Sequence, residues 1–216
     1  MRYTPMKQYS ALLLVPLLLL LPYAAAAGPT AVTTDEDEIR TMLEERDREI
    51  KSILDGQADS FTDEQRDRLQ SLINDVIDFR AMGQKALGPH WEDLSSDQRE
   101  EFLDVFRDVV RLQSISDLEV YNSEVIIDRI DVESDSAFVR TTTTYRGSSA
   151  PVDYVLMRRD GEWLAEDIIV DRVSTAESYE RSFRNVIRRQ GFDRLMEVLE
   201  NRRAEAAKEA EAEVSP

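Results

Sequence analysis

The sequence predicts an α+β fold in which a curved antiparallel sheet of at least four strands is wrapped by helices. Apolar residues recur at helical spacing up to about residue 121, alternate with a period of two over about 124–173, and return to helical spacing from about 174 to 203. Strands grouped between helices are typical of antiparallel sheets with helices packed on them. Such a fold can leave an apolar cavity between its layers.

Four helices are predicted in the first part of the chain, over residues 35–54, 62–77, 79–87 and from 95 onward. Capping boxes are expected where Thr62 is followed by Gln65 and where Ser95 is followed by Gln98. Asp78 is expected to cap the third helix, which Gly88 and the following proline end. Each apolar stripe is most simply interpreted as core.

Residues 152–173 predict a β-hairpin with a tight turn at Asp160 and Gly161. Alternation places Val152, Tyr154 and Leu156 on one face of the first strand. On the second strand, the residues expected to share a face are Trp163, Ala165, Asp167 and Ile169. We expect the two sets to form one large aromatic face that contains a single carboxylate.

The last helices are predicted to begin at a cap formed by Ser174 or Thr175, with a break at Gly191. Residues 204–216 are rich in alanine and glutamate, and we expect this tail to bury nothing and to fray. One domain over residues 28–203 is therefore predicted, with a helical part over 35–121, a sheet over 124–173 and C-terminal helices over 174–203.

The first 27 residues are interpreted as a signal peptide. Arg2 and Lys7 precede an apolar run over residues 11–21 that is too short for an ordinary membrane-spanning helix, and small residues follow at 24–27. Pro16 and Pro22 interrupt this stretch and disfavour the alternative, an uncleaved anchor. We expect a mature protein that starts near Gly28 in the periplasm of a bacterium or outside the cell.

Composition excludes several classes of partner and chemistry. The formal net charge is −17 and becomes −19 without the two basic residues of the signal, which argues against nucleic acid and against an anionic membrane surface as partners. The chain has no cysteine, so no disulfide stabilises it. The absence of cysteine also excludes a cysteine nucleophile. The single histidine, His90, excludes a multi-histidine metal site.

Asp167 is the one carboxylate that falls among strand residues expected to be buried. Its simplest interpretation is a structural carboxylate that accepts hydrogen bonds from nearby groups. The alternative is a general base with a raised pKa in an enzyme whose cavity lies beside it. We predict no catalytic residues, no metal and no cofactor.

Three stretches resemble the MlaC, or toluene-tolerance auxiliary, family of periplasmic phospholipid-binding proteins. They are FRAMGQKALGPHWEDLSSDQREEFLDVFRDVV from Phe79, VDYVLMRRDGEWLAEDIIVDRVS from Val152 and SYERSFRNVIRRQGFDRLMEVL from Ser178. The resemblance extends from about Ile39 to Leu199. The chain departs from the family pattern at Arg172, where glycine is common, and over residues 113–118.

The resemblance implies a nuclear-transport-factor-like sheet that encloses the acyl chains of a phospholipid. It also implies a shuttle, not an enzyme, that carries the lipid between an outer-membrane lipoprotein complex and an inner-membrane ABC transporter complex. The alternatives are an enzyme on the same fold with Asp167 as base, and a protein-binding adaptor without a ligand, which a filled cavity would favour. The candidate lipid-binding residues are Phe102, Phe106, Tyr121, Val139, Thr141, Tyr145, Tyr154, Leu156, Trp163 and Ile169.

Overall fold

Residues 34–55, 61–114 and 118–212 are described by the structure, which is a computed structural model. The predicted signal peptide, residues 1–27, lies outside the described residues. The helices are α1 (Asp35–Asp55), α2 (Asp63–Asn74), α3 (Phe79–Leu87), α4 (Ser96–Ser114), α5 (Thr175–Gln190) and α6 (Phe192–Ala212). Two short 3-10 turns cover Gly88–Trp91 and Leu118–Asn122.

The helices begin at the predicted caps. Thr62 and Gln65 form the expected capping box at the start of α2. The amide of Ala81 donates to the Asp78 carboxylate at 2.8 Å at the start of α3. The Ser174 hydroxyl accepts from the backbone of α5, which ends at Gly191 as predicted.

Five antiparallel strands form one sheet in sequence order: β1 (Glu124–Glu133), β2 (Ser136–Tyr145), β3 (Ser148–Arg159), β4 (Glu162–Val170) and β5 (Val173–Ser174). The prediction of an α+β fold with at least four antiparallel strands is confirmed. Asp160 and Gly161, at φ 51° and 90°, make the predicted turn between β3 and β4. The prediction that the second arm runs unbroken to Val173 was wrong, because a tight turn at Asp171 and Arg172 reverses the chain.

Two bulges change which residues share a face. β4 has one extra residue, Glu166, between the pairs Val155–Asp167 and Leu156–Ala165. Beyond this bulge Ile168 lies opposite Tyr154, and Ile169 lies opposite Asp153 on the other face. The prediction that Asp167 and Ile169 share a face with Trp163 was therefore wrong, because strict alternation ends at a bulge.

The second bulge, between Ile127 and Arg129 of β1, brings Ile127 and Ile130 to the same face. This face also carries Val139, Leu156 and Ala165, and we call it the inner face.

Helix α1 lies across the inner face. Ile39 of α1 is fully buried in a cluster with six sheet residues, which we call the sheet cluster. Its sheet members are Ile130, Ala137, Val139, Leu156, Trp163 and Ala165. A larger helix cluster is built mainly from α3, α4, α5 and α6, and the far half of α1 packs on α2 around Ile50 and Leu69.

The segment between α2 and α3 continues the sheet beyond β4. The amide of Ala165 donates to the carbonyl of Val76 at 2.6 Å, and the amide of Asp78 donates to the carbonyl of Ala165 at 2.8 Å. This parallel bridge pairs backbone groups of β4 that face away from β3, and it fixes the helices relative to the sheet.

The predicted fraying tail is helical over much of its length. Helix α6 continues to Ala212, and Ala206 and Ala207 are half-buried, so the expectation that this segment buries nothing was wrong. Ala204 and Ala207 lie at a surface cleft shared with Leu112 of α4, where small side chains let the two helices approach. Across the described ranges, no helix combines the length and the apolar character needed to cross a membrane.

Arg172 adopts a left-handed backbone conformation with φ 65°. This conformation costs a residue with a Cβ about 1 kcal/mol of conformational free energy, whereas glycine adopts it without that cost. Replacing the exposed Arg172 by glycine removes this strain, but glycine also makes the unfolded chain more flexible, which offsets part of the gain. The net effect should be a rise of about 0.5 kcal/mol in the free energy of unfolding. Urea denaturation of the mature protein would measure this change.

The matched control is Arg181→Gly, at an exposed position inside α5, which should lower the free energy of unfolding by about 1 kcal/mol. A loss of stability in Arg172→Gly as large as that in the control would contradict the assignment of strain to this turn.

Candidate functional site

The inner face and helix α1 form an apolar contact between sheet and helix. Val139 and Leu156 are fully buried, and Trp163 is 6% exposed. Ile39 of α1 packs among them, and Met42 and Leu43 pack at the edge of the same cluster. Four predicted lipid-binding residues, Val139, Tyr154, Leu156 and Trp163, are thus brought together.

Side chains of α1 and of the sheet pack closely where the sequence predicts an apolar cavity. Two clefts lie at the surface, one of about 340 Å³ between α1 and α2 and one of about 450 Å³ between α4 and α6. Side chains of α1 pack on the sheet cluster, so an acyl chain would contact the sheet residues beneath Ile39 only if α1 moved.

Met42 marks the place where the layers meet. It packs against both the sheet cluster and the helix cluster, and it also lines the 340 Å³ cleft between α1 and α2. Methionine is unbranched and flexible, so it fills irregular gaps and yields more easily than a branched side chain. The cleft therefore leads from the surface to a deformable point between the two clusters.

Trp163 has a polar atom without a partner. Its indole Nε1 is buried and makes no hydrogen bond with any described residue. The guanidinium of Arg158, the neighbour of Trp163 across the two strands, lies 4.6 Å from the centre of the indole ring. Arg158 also pairs with Asp35 and with Glu38, the latter at 3.0 Å, and so ties the first turn of α1 to the sheet.

Tyr154 lies under α1 on the inner face. Burial raises the pKa of its phenol, and the carboxylates of Asp47 and Asp153 raise it further. Both effects disfavour the phenolate, because a further negative charge would be placed in a poorly solvated site beside two carboxylates. Tyr154 therefore presents a neutral hydroxyl to its surroundings at physiological pH.

Phe102 and Phe106 belong to the helix cluster instead of the inner face. They stack on each other with ring centres 5.4 Å apart, and both meet Phe183 of α5 edge to face. Tyr179 packs on Phe106, and burial raises the pKa of its phenol. The structure thus places these two phenylalanines in an aromatic group apart from the sheet residues of the predicted site.

The remaining predicted residues lie at the margins. Tyr121 packs on α1 and α2 and donates its hydroxyl to the carbonyl of Ser114 at 2.9 Å. Thr141 is buried and bonds the carbonyl of Val152, while Tyr145 is half-buried beneath the guanidinium of Arg146. Ile169 is on the opposite face from Tyr154, because of the bulge in β4.

The sequence did not single out Ile39 and Met42 as site residues. Their helical spacing identified α1 as amphipathic, but spacing does not say which surface an amphipathic helix covers. An available signal was the four acidic residues at 35–38, because alternation puts the basic Arg158 on the same strand face as Leu156.

Asp167 has a structural role. One carboxylate oxygen accepts a hydrogen bond from the Ser174 hydroxyl at 2.5 Å, and the other accepts a hydrogen bond from the amide of Ala176 at 3.0 Å. These bonds join β4 to the start of α5, where a negative charge is favourable. Both carboxylate oxygens are thus used within the fold, as the structural interpretation of this residue expected.

No group of three or more potential metal-ligating residues occurs within the part of the chain that the structure describes. His90 lies in the 3-10 turn after α3, with its Nδ1 3.9 Å from the carboxylate of Asp93.

Replacing Asp167 by asparagine should lower the free energy of unfolding by about 1–3 kcal/mol, since it removes a charge that two hydrogen bonds and a helix N-terminus stabilise. The control is Asp171→Asn in the adjacent exposed turn, which should be nearly neutral because asparagine tolerates positive φ. Denaturant unfolding would measure both variants. An unchanged midpoint for Asp167→Asn would contradict the anchoring role.

Comparisons with known proteins identify a family and a similar fold. The family described as MlaC protein matches residues 44–201. Among solved structures, the phospholipid-binding protein from Ralstonia solanacearum in complex with a phospholipid is similar in fold, with a TM-score of 0.63 and 21% identity over 79% of this chain and 97% of that one. No curated protein matches the chain. Because the family match covers well over half of the sequence, this chain belongs to the MlaC family.

Proposed function

We propose that this protein is a periplasmic phospholipid carrier and not an enzyme. The observation that carries the proposal is an apolar inner face covered by one amphipathic helix, with Met42 at the junction of two core clusters. Family membership and the likeness to a fold that holds a phospholipid support it. In this proposal the acyl chains replace α1 side chains as the cover of the inner face.

Burial of the acyl chains is the energetic task of such a carrier. Exposure of a chain to water costs about 0.8 kcal/mol per methylene, or roughly 11 kcal/mol for about 14 methylenes. A carrier has to offset this cost without exceeding it by much, or the lipid would not be released. Displacement of α1 provides that balance, because the energy lost when its apolar contacts open reduces the net affinity for lipid.

We further propose that the carrier moves lipid between an outer-membrane lipoprotein complex and the inner-membrane ABC transporter complex of a lipid-asymmetry (Mla-type) system. The net charge of −17 disfavours lasting adsorption to anionic bilayers. A lipid carrier needs this property because it has to leave the membrane after it exchanges lipid. The same charge favours transient docking on basic patches of partner complexes.

A protein-binding adaptor without a ligand is the second candidate, because Ile39 and Leu156 are fully buried in the same cluster in this conformation. The two candidates differ because only the carrier is expected to contain phospholipid.

Mature protein should be purified gently from its native host, extracted with organic solvent and analysed by mass spectrometry. The carrier proposal predicts near-stoichiometric phospholipid, or uptake of phospholipid from vesicles by stripped protein. Absence of both would favour the adaptor and overturn the proposal.

Leu156→Trp should lower lipid occupancy by about fivefold, because the larger ring occupies the inner face that acyl chains are proposed to cover. Overpacking should also lower the free energy of unfolding by about 1–3 kcal/mol. The control is Met157→Trp, one position along β3, whose half-buried side chain is on the other face of the sheet. Lipid content measured on the folded variants would test the placement, and equal occupancy in both would contradict it.

A further inference from the structure

Arg158 is a basic group beside the proposed acyl site. It lies two residues after Leu156 on β3 and opposite Trp163 on β4, at the hairpin end of the inner face. Its side chain is 25% exposed, so it is reachable from solvent but poorly screened by it. A guanidinium in such a position is expected to remain paired with an anion.

The anions that pair with it belong to the helix that has to move. Asp35 and Glu38 are in the first turn of α1, and Ile39 beside them is the residue that packs on the inner face. Displacement of α1 would therefore take both carboxylates away from Arg158. The cost of leaving this charge unpaired would oppose lipid uptake unless the incoming lipid supplied an anion.

Trp163 provides an independent observation. Its buried Nε1 donor has no partner among the described residues, although buried donors in native proteins are nearly always satisfied. The ring lies directly beneath the Arg158 guanidinium, at 4.6 Å. An acceptor oxygen near both groups would satisfy the indole and replace the carboxylates of α1.

We infer that Arg158 and Trp163 form a subsite for the phosphate group of a phospholipid, an inference that rests on the proposed function. The guanidinium matches phosphate and carboxylate oxygens with the same planar arrangement of donors. In the closed conformation Asp35 and Glu38 hold the place of the phosphate, and lipid uptake exchanges one anion for another. The subsite recognises the phosphate common to phospholipids and leaves the rest of the head group in solvent.

The test is a competition between two lipids with identical acyl chains. Mature protein stripped of lipid is incubated with vesicles that contain equal amounts of dioleoyl phosphatidylethanolamine and dioleoylglycerol, then re-isolated, and both lipids are quantified by mass spectrometry. Wild-type protein should prefer the phospholipid by roughly tenfold, because only that lipid keeps Arg158 paired. Arg158→Gln should reduce this preference to about twofold or less.

Two further variants separate recognition from folding. Trp163→Phe keeps the aromatic ring and removes only the N–H, and it should lower the preference by about threefold. Asp35→Asn combined with Glu38→Gln removes the competing carboxylates and should speed phospholipid uptake. If Arg158→Gln does not fold, Arg158→Lys replaces it and should show an intermediate preference, because lysine keeps the charge without the planar fork.

The control is Arg140→Gln on the opposite face. Arg140 lies over the ring of Phe138 at 5.1 Å and pairs with Asp131 at 2.5 Å, so it reproduces the arrangement of Arg158 away from the inner face. Its preference should equal that of wild type. Inorganic phosphate at 50 mM should not displace bound phospholipid, because it lacks acyl chains.

The outcomes separate the two levels of the proposal. Uptake of both lipids in equal amounts, with no effect of the Arg158 and Trp163 variants, would overturn the subsite and leave the carrier function standing. Uptake of neither lipid would overturn both. Binding of inorganic phosphate at Arg158 together with unhindered phospholipid uptake would assign the site to free phosphate and overturn the inference.

Discussion

The packing of Ile39 against the inner face of the sheet is the contact on which the proposed function depends. The inner face is too apolar to be left in water, and α1 is the element that covers it. The same helix is held at its start by ion pairs to Arg158 and along its second half by packing on α2. The helix cluster has its own aromatic core, and its described contact with α1 is through Met42.

Charged groups hold the start of α1 against the sheet. The chain is strongly acidic, and four of its acidic residues occupy the first turn of α1, where they also favour the helix dipole. Two of them pair with Arg158, whose guanidinium lies over Trp163. Elsewhere Asp167 uses its charge to anchor α5 to β4. Asp167, the buried carboxylate among the described residues, thus has a structural role.

Local signals predicted most of the fold. Caps at Thr62, Asp78 and Ser174 and the turn at Asp160 depend on neighbouring residues, so the sequence was sufficient to locate them. The bulge at Glu166 carries no comparable signal, and it moved Ile169 away from the inner face. Contacts between distant segments were also missed. The pairing of Arg158 with α1 joins residues more than 100 positions apart, and no periodicity specifies such a partner.

The two tryptophans allow a direct test of where the acyl chains bind. Trp163 lies on the inner face and Trp91 lies in the helix cluster, so Trp91→Phe and Trp163→Phe each leave one fluorescent reporter. A phospholipid with brominated acyl chains quenches only the indoles that it approaches. The account predicts strong quenching of Trp163 and little quenching of Trp91 when the lipid is bound stoichiometrically. Unquenched Trp163 with bound lipid, or quenching of Trp91 alone, would contradict it.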